Sequence, residues 1–243
     1  MLYRVGKIYS DSSFEILLVL IGTGMIFFIN NQMRQSIAMG LWLLAMNKFR
    51  ENKLGGVGIY LVAVLTHASA LVLLPFLKGF SINRRLAVIV PTCFIFLHFS
   101  SFFNGFQHLV FEVLPLDSLA RYASKMWLFE SESDRGFIIL FWYVIYMVPV
   151  IFGWGKIDKQ LVVICIVGIV LKVVFYDSHL ITRATNYFLY TNAFLMINFL
   201  HVSRDTLLKV LIIVMLALDH QFLVVVEGGE HGGIPYYNII FEN

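Results

Sequence analysis

The sequence predicts an all-α, polytopic integral membrane protein with seven or eight hydrophobic helical segments, one of them a candidate for re-entry. Three observations predict it. Of 243 residues, 59% are hydrophobic and 14% are charged, where soluble domains carry about 25% charged residues. Mean hydropathy is +0.81, and apolar runs approaching the ~20 residues needed to cross a bilayer recur along nearly the whole chain. Those runs are continuously apolar and do not alternate with period two. Helices, which satisfy their backbone groups internally, therefore fit better than a transmembrane barrel.

In chain order the segments fall at 14–29, 34–49, 57–77, 86–103, 136–153, 160–176, 182–201 and 206–226. No A-x-A-like cleavage site follows the first, which reads as a retained helix. The second opens on Arg34-Gln35, directly after Asn30-Asn31-Gln32. The third carries His67 near its middle, flanked by Thr66 and Ser69. Cys93 and Cys165 fall inside the fourth and sixth and read as small buried hydrophobes, neither a disulfide nor a metal pair. The seventh begins at Arg183, and the eighth contains Asp219. Residues 1–243 form a single transmembrane domain in this reading. One long connection, at about 104–135, carries eight charges from Glu112 to Arg135 and is expected to face outward. An acidic glycine-rich turn and an aromatic tail through Tyr236 close the chain.

Two topologies of the third segment are open. If all eight segments cross, the basic stretches Lys48–Lys53 and Lys78–Arg85 lie on opposite sides and the positive-inside bias vanishes. If Val57–Leu77 enters and returns on one side, turning near His67, each half is about ten residues or ~15 Å of helix. The cytoplasmic side then holds twelve Lys and Arg residues, and the outer side holds five: Arg34, Arg121, Lys125, Arg135 and Arg183.

Polar groups inside so apolar a chain are candidates for function. Arg34, beside a helix N-terminus, has the fork geometry to bind a phosphate bidentately, with Gln35 adding a donor and an acceptor; it also reads as an interfacial arginine snorkelling to water. His67 carries an imidazole, which titrates near neutral pH and suits a general base; a satisfied structural histidine is the plainer reading. Arg183 and Tyr187, spaced i, i+4, share a helix face and together suit an anionic head group on a sugar, or an anchoring arginine beside an aromatic-belt tyrosine. Lys172 and Asp219 read first as a buried ion pair, with Asp219 in reserve as a base. Arg121 and Arg135 are placed to attract a phosphorylated substrate or are simply solvated. No phosphate loop, dinucleotide fingerprint, CxxC or HExxH spacing is present, which argues against an ATP-driven pump, a dinucleotide enzyme or a zinc protease. No metal, cofactor or nucleic acid is expected.

Arg34-Gln35 with Ala38, His67 with Ser69-Ala70-Leu71 and Pro75, Arg183 with Tyr187, and the closing Pro235-Tyr236 resemble the EpsG branch of the Wzy-type polysaccharide polymerases. The resemblance runs from about Ser10 to the end. It implies a multi-pass glycosyltransferase of the bacterial inner membrane. Such an enzyme joins oligosaccharide repeats carried on undecaprenyl pyrophosphate into O-antigen, capsule or exopolysaccharide. By that resemblance, Arg34, His67, Arg183 and Asp219 are catalytic candidates. Gln35, Arg121, Arg135, Tyr187 and Tyr236 are substrate-binding candidates. A flippase and a chain-length regulator are the expected protein partners. Family members carry further helices ahead of the Arg-Gln block where this chain has one, so an N-terminally short member is expected. A flippase or secondary transporter of a lipid-linked sugar, using the same arginines, is the competing reading, and a membrane acyltransferase with a histidine base is a third.

Overall fold

The computed structural model describes residues 1–25, 33–100, 135–175 and 179–225; the side chains of 135–139, 142, 179–184 and 219–225 are outside that description. Within it every regular element is helical. In chain order these are α1 (Leu2–Tyr9), α2 (Ser13–Gly22), α3 (Met33–Glu51), α4 (Lys53–Thr66), a 3-10 limb (Ala68–Lys78), α5 (Arg84–Phe99), α6 (Arg135–Gly153), α7 (Lys159–Val174), α8 (His179–Val202) and α9 (Thr206–Val225). Six of the eight expected segments correspond to one helix each, and the third corresponds to two. The first, expected over 14–29, is helical as far as Gly22, where Thr23 and Gly24 (φ 67°) turn the chain, and its residues 26–29 lie outside the described residues. The sequence reading missed α1, whose single buried face of Leu2, Val5, Gly6 and Tyr9 is too short to register as a span.

Local signals start most of these helices. Ser12, Asn52, Asn83 and Asp158 each accept a backbone N–H of the following turn, satisfying donors that a helix start leaves orphaned. No helix among the described residues is long and apolar enough to cross a membrane. For two of the expected segments the physical reason is visible. The run 57–77 is divided between a 14-residue helix and an 11-residue 3-10 limb, and α3 carries Arg34, Lys48, Arg50 and Glu51 within its 19 residues.

That division decides the topology of the third segment. His67 adopts an extended backbone (φ −155°, ψ 110°), ending α4 and starting the 3-10 limb. Its N–H still donates to Ala63 O at 3.0 Å, and its carbonyl accepts from Ala70 at 2.9 Å. The Tyr60 hydroxyl crosses between the limbs, donating to Ala70 O at 3.2 Å and Leu71 O at 3.3 Å. At ~1.5 Å per residue for α4 and ~2.0 Å for the 3-10 limb, both limbs are about 21–22 Å long. They return to one level, where a single side chain ties them together. Gln160 Nε2 donates to Phe76 O at 2.7 Å, while its Oε1 accepts from Arg50 Nη2 at 2.6 Å. A plain span would put Phe76 and Arg50 at opposite ends of the molecule. The segment is a helical hairpin.

The layer at the hairpin's base is polar and continuous. Arg50 Nη2 donates to both oxygens of Asp158, at 2.9 and 2.8 Å, and the Asp158 N–H donates to Asn198 Oδ1 at 2.9 Å. Tyr9 is buried beside this pair; burial and the Asp158 carboxylate push its hydroxyl pKa up, and Arg50 pulls it back. Gly79, at φ +80°, has Gln160 3.3 Å from where a Cβ would stand, so glycine both makes the turn and admits the glutamine. Arg84 Nη2 donates to Ile151 O at 2.9 Å. Removing the Gln160 amide leaves Phe76 O with only the Gly79 N–H, at 3.3 Å, and weakens the hold on Arg50, so Gln160→Leu is expected to cost about 1–3 kcal/mol, read as a lower unfolding midpoint of the purified chain.

The expectation of a buried Cys93 is corrected: its thiol is exposed on α5, beside exposed Ile89 and Phe96, while Cys165 is buried as expected. Position on the outward face of α5, not residue type, decides the difference.

Candidate functional site

The tip of the hairpin is where the sequence candidates meet. His67 stands alone in extended backbone between two helices, so its side chain is free of the helical stacking on either side. Ser69, two residues on, turns back to it: Ser69 Oγ is 2.5 Å from His67 Nδ1. Tyr187 of α8 reaches both, its hydroxyl 3.1 Å from Ser69 Oγ and 3.1 Å from His67 Nδ1. The His67 and Tyr187 rings meet edge to face at 6.3 Å. Tyr187 is fully buried, while His67 and Ser69 are half-buried and reachable.

Packing beneath the tip fixes this geometry. Phe188, next to Tyr187, stacks edge to face on Phe76 of the 3-10 limb at 5.3 Å. Gly168 of α7 lets the Phe188 backbone approach to where a Cβ would have only 3.0 Å. Thr191 Oγ1 donates to Tyr187 O at 2.6 Å, one turn further along α8. The tyrosine is thus held from the apolar core, with only its hydroxyl offered to the tip.

The proton arrangement follows from the inventory of donors. When Nδ1 carries the ring proton it donates to Ser69 Oγ, and the Ser69 hydroxyl donates on to the Tyr187 oxygen. Nε2 then keeps its lone pair, and among the described residues it has no partner. The reverse relay, from Tyr187 through Ser69 into Nδ1, makes Nε2 a donor instead. The first arrangement presents Nε2 as an acceptor and thus a base, and the second presents it as a hydrogen-bond donor.

Arg34 lies at the same end of the bundle. It is sixteen residues, about 24 Å of helix, from Arg50 along α3, and α4 runs back beside α3 to a tip about 21 Å from the same layer. Arg34 is exposed, while its neighbour Gln35 is 3% exposed and engaged. Arg183 is on α8 one turn before Tyr187, on the side away from Asn198; its side chain lies outside the described residues, as do those of Arg135 at the start of α6 and Asp219 on α9. Arg121 and Tyr236 fall wholly outside the described residues. Lys172 on α7 is engaged by a contact of its own.

The sequence reading named His67 and Tyr187 separately but did not join them, and it gave Ser69 no role of its own. The available signal was local: a hydroxyl two residues past a histidine at a helix break. The base layer of Arg50, Asp158, Gln160 and Asn198 left no motif, because its members are scattered over 149 positions of the chain.

A family model described as EpsG family matches residues 1–238. The chain belongs to the EpsG family. No curated protein and no solved structure matches it. EpsG membership points to polysaccharide biosynthesis and to a polymerase role, with a lipid-linked oligosaccharide as the class of substrate. The match spans all three of the EpsG-like blocks that surround the tip: Arg34-Gln35, His67-Ala-Ser69 and Arg183 with Tyr187.

Proposed function

We propose that this EpsG-family chain is a multi-pass polymerase of the bacterial inner membrane that joins repeat units carried on undecaprenyl pyrophosphate, with the hairpin tip as its active site. The observation that carries the reading is the convergence of Ser69 and Tyr187 on His67 Nδ1, which leaves the other ring nitrogen for an acceptor hydroxyl. In the reaction, a hydroxyl of the incoming unit gives its proton to His67 Nε2 while its oxygen attacks the anomeric carbon of the growing chain. The bond from that carbon to pyrophosphate breaks, and the lipid pyrophosphate leaves. Its developing charge falls to Arg34 and Arg183, which act by position and electrostatics. Arg121, Arg135 and Tyr236 are assigned to holding substrate, and Asp219 is the reserve base.

The helical hairpin suits this site. A pair of short limbs that turns inside the bilayer is tolerated where it is buried in protein or lines a wet cavity, and it brings a histidine to a depth that a capped span would shield. The hairpin also gathers Lys48, Arg50, Lys53, Lys78, Arg84, Arg85, Lys156 and Arg204 toward one end, the distribution the positive-inside rule expects of a cytoplasmic face.

In a strain supplying the cognate repeat unit but lacking its own polymerase, the chain is expected to yield a ladder of lipid-linked repeats. Arg34→Ala combined with Arg183→Ala should collapse the ladder to one unit, and Arg34→Lys alone should shorten it, since an ammonium cannot reproduce a bidentate guanidinium. A parental ladder from the double variant would overturn the assignment of these arginines. Transport of the intact lipid-linked unit across proteoliposomes with no new glycosidic bond would instead establish the flippase reading.

A further inference from the structure

A cavity of about 350 Å³ opens at the base of the bundle, far from the hairpin tip, between the end of α6, the end of α8 and the start of α9. We infer that it binds the phosphate headgroup of an anionic phospholipid; this rests on the membrane reading above but not on the polymerase chemistry. The volume is at the low end for ligand pockets and suits a headgroup. Two exposed cations line it, Lys156 and Arg204, and neither side chain has a hydrogen-bond or ion-pair partner among the described residues. The one carboxylate in the wall caps α9: Asp205 Oδ1 accepts the Leu208 N–H at 3.1 Å, and the Asp205 N–H donates to Ser203 Oγ at 3.3 Å, which leaves the wall with two cationic groups against one anionic group.

The rest of the wall is apolar. Phe199 packs against Gly153, where a Cβ would lie 2.6 Å from its ring, and Phe152 lines the opening while staying 60% exposed. Leu207, at the head of α9, is 77% exposed. Paired cations over exposed apolar side chains match an amphiphile, with phosphate on the cations and acyl carbon against Phe152 and Leu207. A soluble phosphate ester leaves those side chains unused. Trp154, under Lys159 at 3.7 Å, stands in the same turn and is suited to the headgroup level of a bilayer.

The test uses the full chain purified in a neutral detergent, with retention of added lipid and thermal protection as readouts. Phosphatidylglycerol is expected to be retained and to raise the unfolding midpoint, with phosphatidylcholine and millimolar inorganic phosphate giving neither effect. Lys156→Gln with Arg204→Gln should weaken phosphatidylglycerol binding about thirtyfold, the value of two cations near a lipid surface. The same chain should keep its unfolding midpoint in phosphatidylcholine. Equal binding of the two lipids, or unchanged binding by the double variant, overturns the pocket alone. Protection by inorganic phosphate equal to that by phosphatidylglycerol overturns the lipid assignment in favour of a soluble anion. A chain that fails to sediment with membranes overturns the membrane reading and this proposal together.

Discussion

His67→Ala is expected to reduce the lipid-linked ladder to a single repeat, a fall in polymerisation rate of about 10²–10⁴-fold, the range for loss of a positioned general base. The protein level should not change, because His67 is half-buried and its backbone is extended, so truncation opens no core cavity. The neighbouring variants grade the mechanism. Ser69→Ala and Tyr187→Phe each leave Nδ1 with one of its two hydroxyl partners and should cost about tenfold, or ~1.4 kcal/mol of barrier. The double variant should approach His67→Ala, since the two hydroxyls act through one nitrogen and their effects are coupled. Measuring repeat number per lipid carrier in all four chains is sufficient. Parental-length polymer from His67→Ala would remove the imidazole from the reaction and pass the role to Asp219.

Gly56→Val is expected to detach the hairpin from α3. A Cβ at Gly56 would lie 2.6 Å from Cα and Cβ of Phe49 and 2.7 Å from its nitrogen. These are backbone contacts, so no flexible side chain can yield, and the helices must part. Overpacking of this kind costs about 1–3 kcal/mol, and a branched residue on a backbone contact belongs at the upper end. Gly58 is the control on the same helix. Nothing lies within 4 Å of its missing Cβ, so Gly58→Ala should be neutral or stabilise by up to about 1 kcal/mol through helix propensity. The unfolding midpoint should fall for Gly56→Val and hold or rise for Gly58→Ala. Because the tip rides on α4, Gly56→Val should also shorten the polymer ladder while leaving His67 itself intact. Equal midpoints for the two variants would mean that α3 and α4 do not approach as closely as described.

Most elements were legible because each is a local event. Asp11-Ser12 before an apolar run, Asn83 before Arg84 and Asp158 before Lys159 start helices with their own side chains. The apolar runs after the last two set their lengths to within a few residues, whereas the first run is turned at Thr23 and Gly24. The 57–77 run was harder. Its hydrophobicity is continuous, so length alone reads it as one span, and only the charge balance of the flanking loops argued for a reversal. The deciding interaction is Gln160 bridging Phe76 and Arg50, which joins positions 84 and 110 apart and has no local trace. Cys93 was misplaced for a related reason: composition says that a cysteine is small and apolar, but not which way its helix faces.

The sequence by itself determined the helical class, the order of the helices and the EpsG-like blocks, since propensity and residue spacing act over a few neighbouring positions. Tertiary structure alone decided that the third segment folds back, that Tyr187 and Ser69 converge on one nitrogen of His67, and that Lys156 and Arg204 share a cavity. Those outcomes depend on contacts between residues more than forty positions apart in all but the Ser69 case. Such contacts are selected by how whole helices pack, at Gly56 on Phe49 and at Gly168 on Phe188. Close approach of backbones, permitted by a missing side chain, is what carries the local pattern into a site.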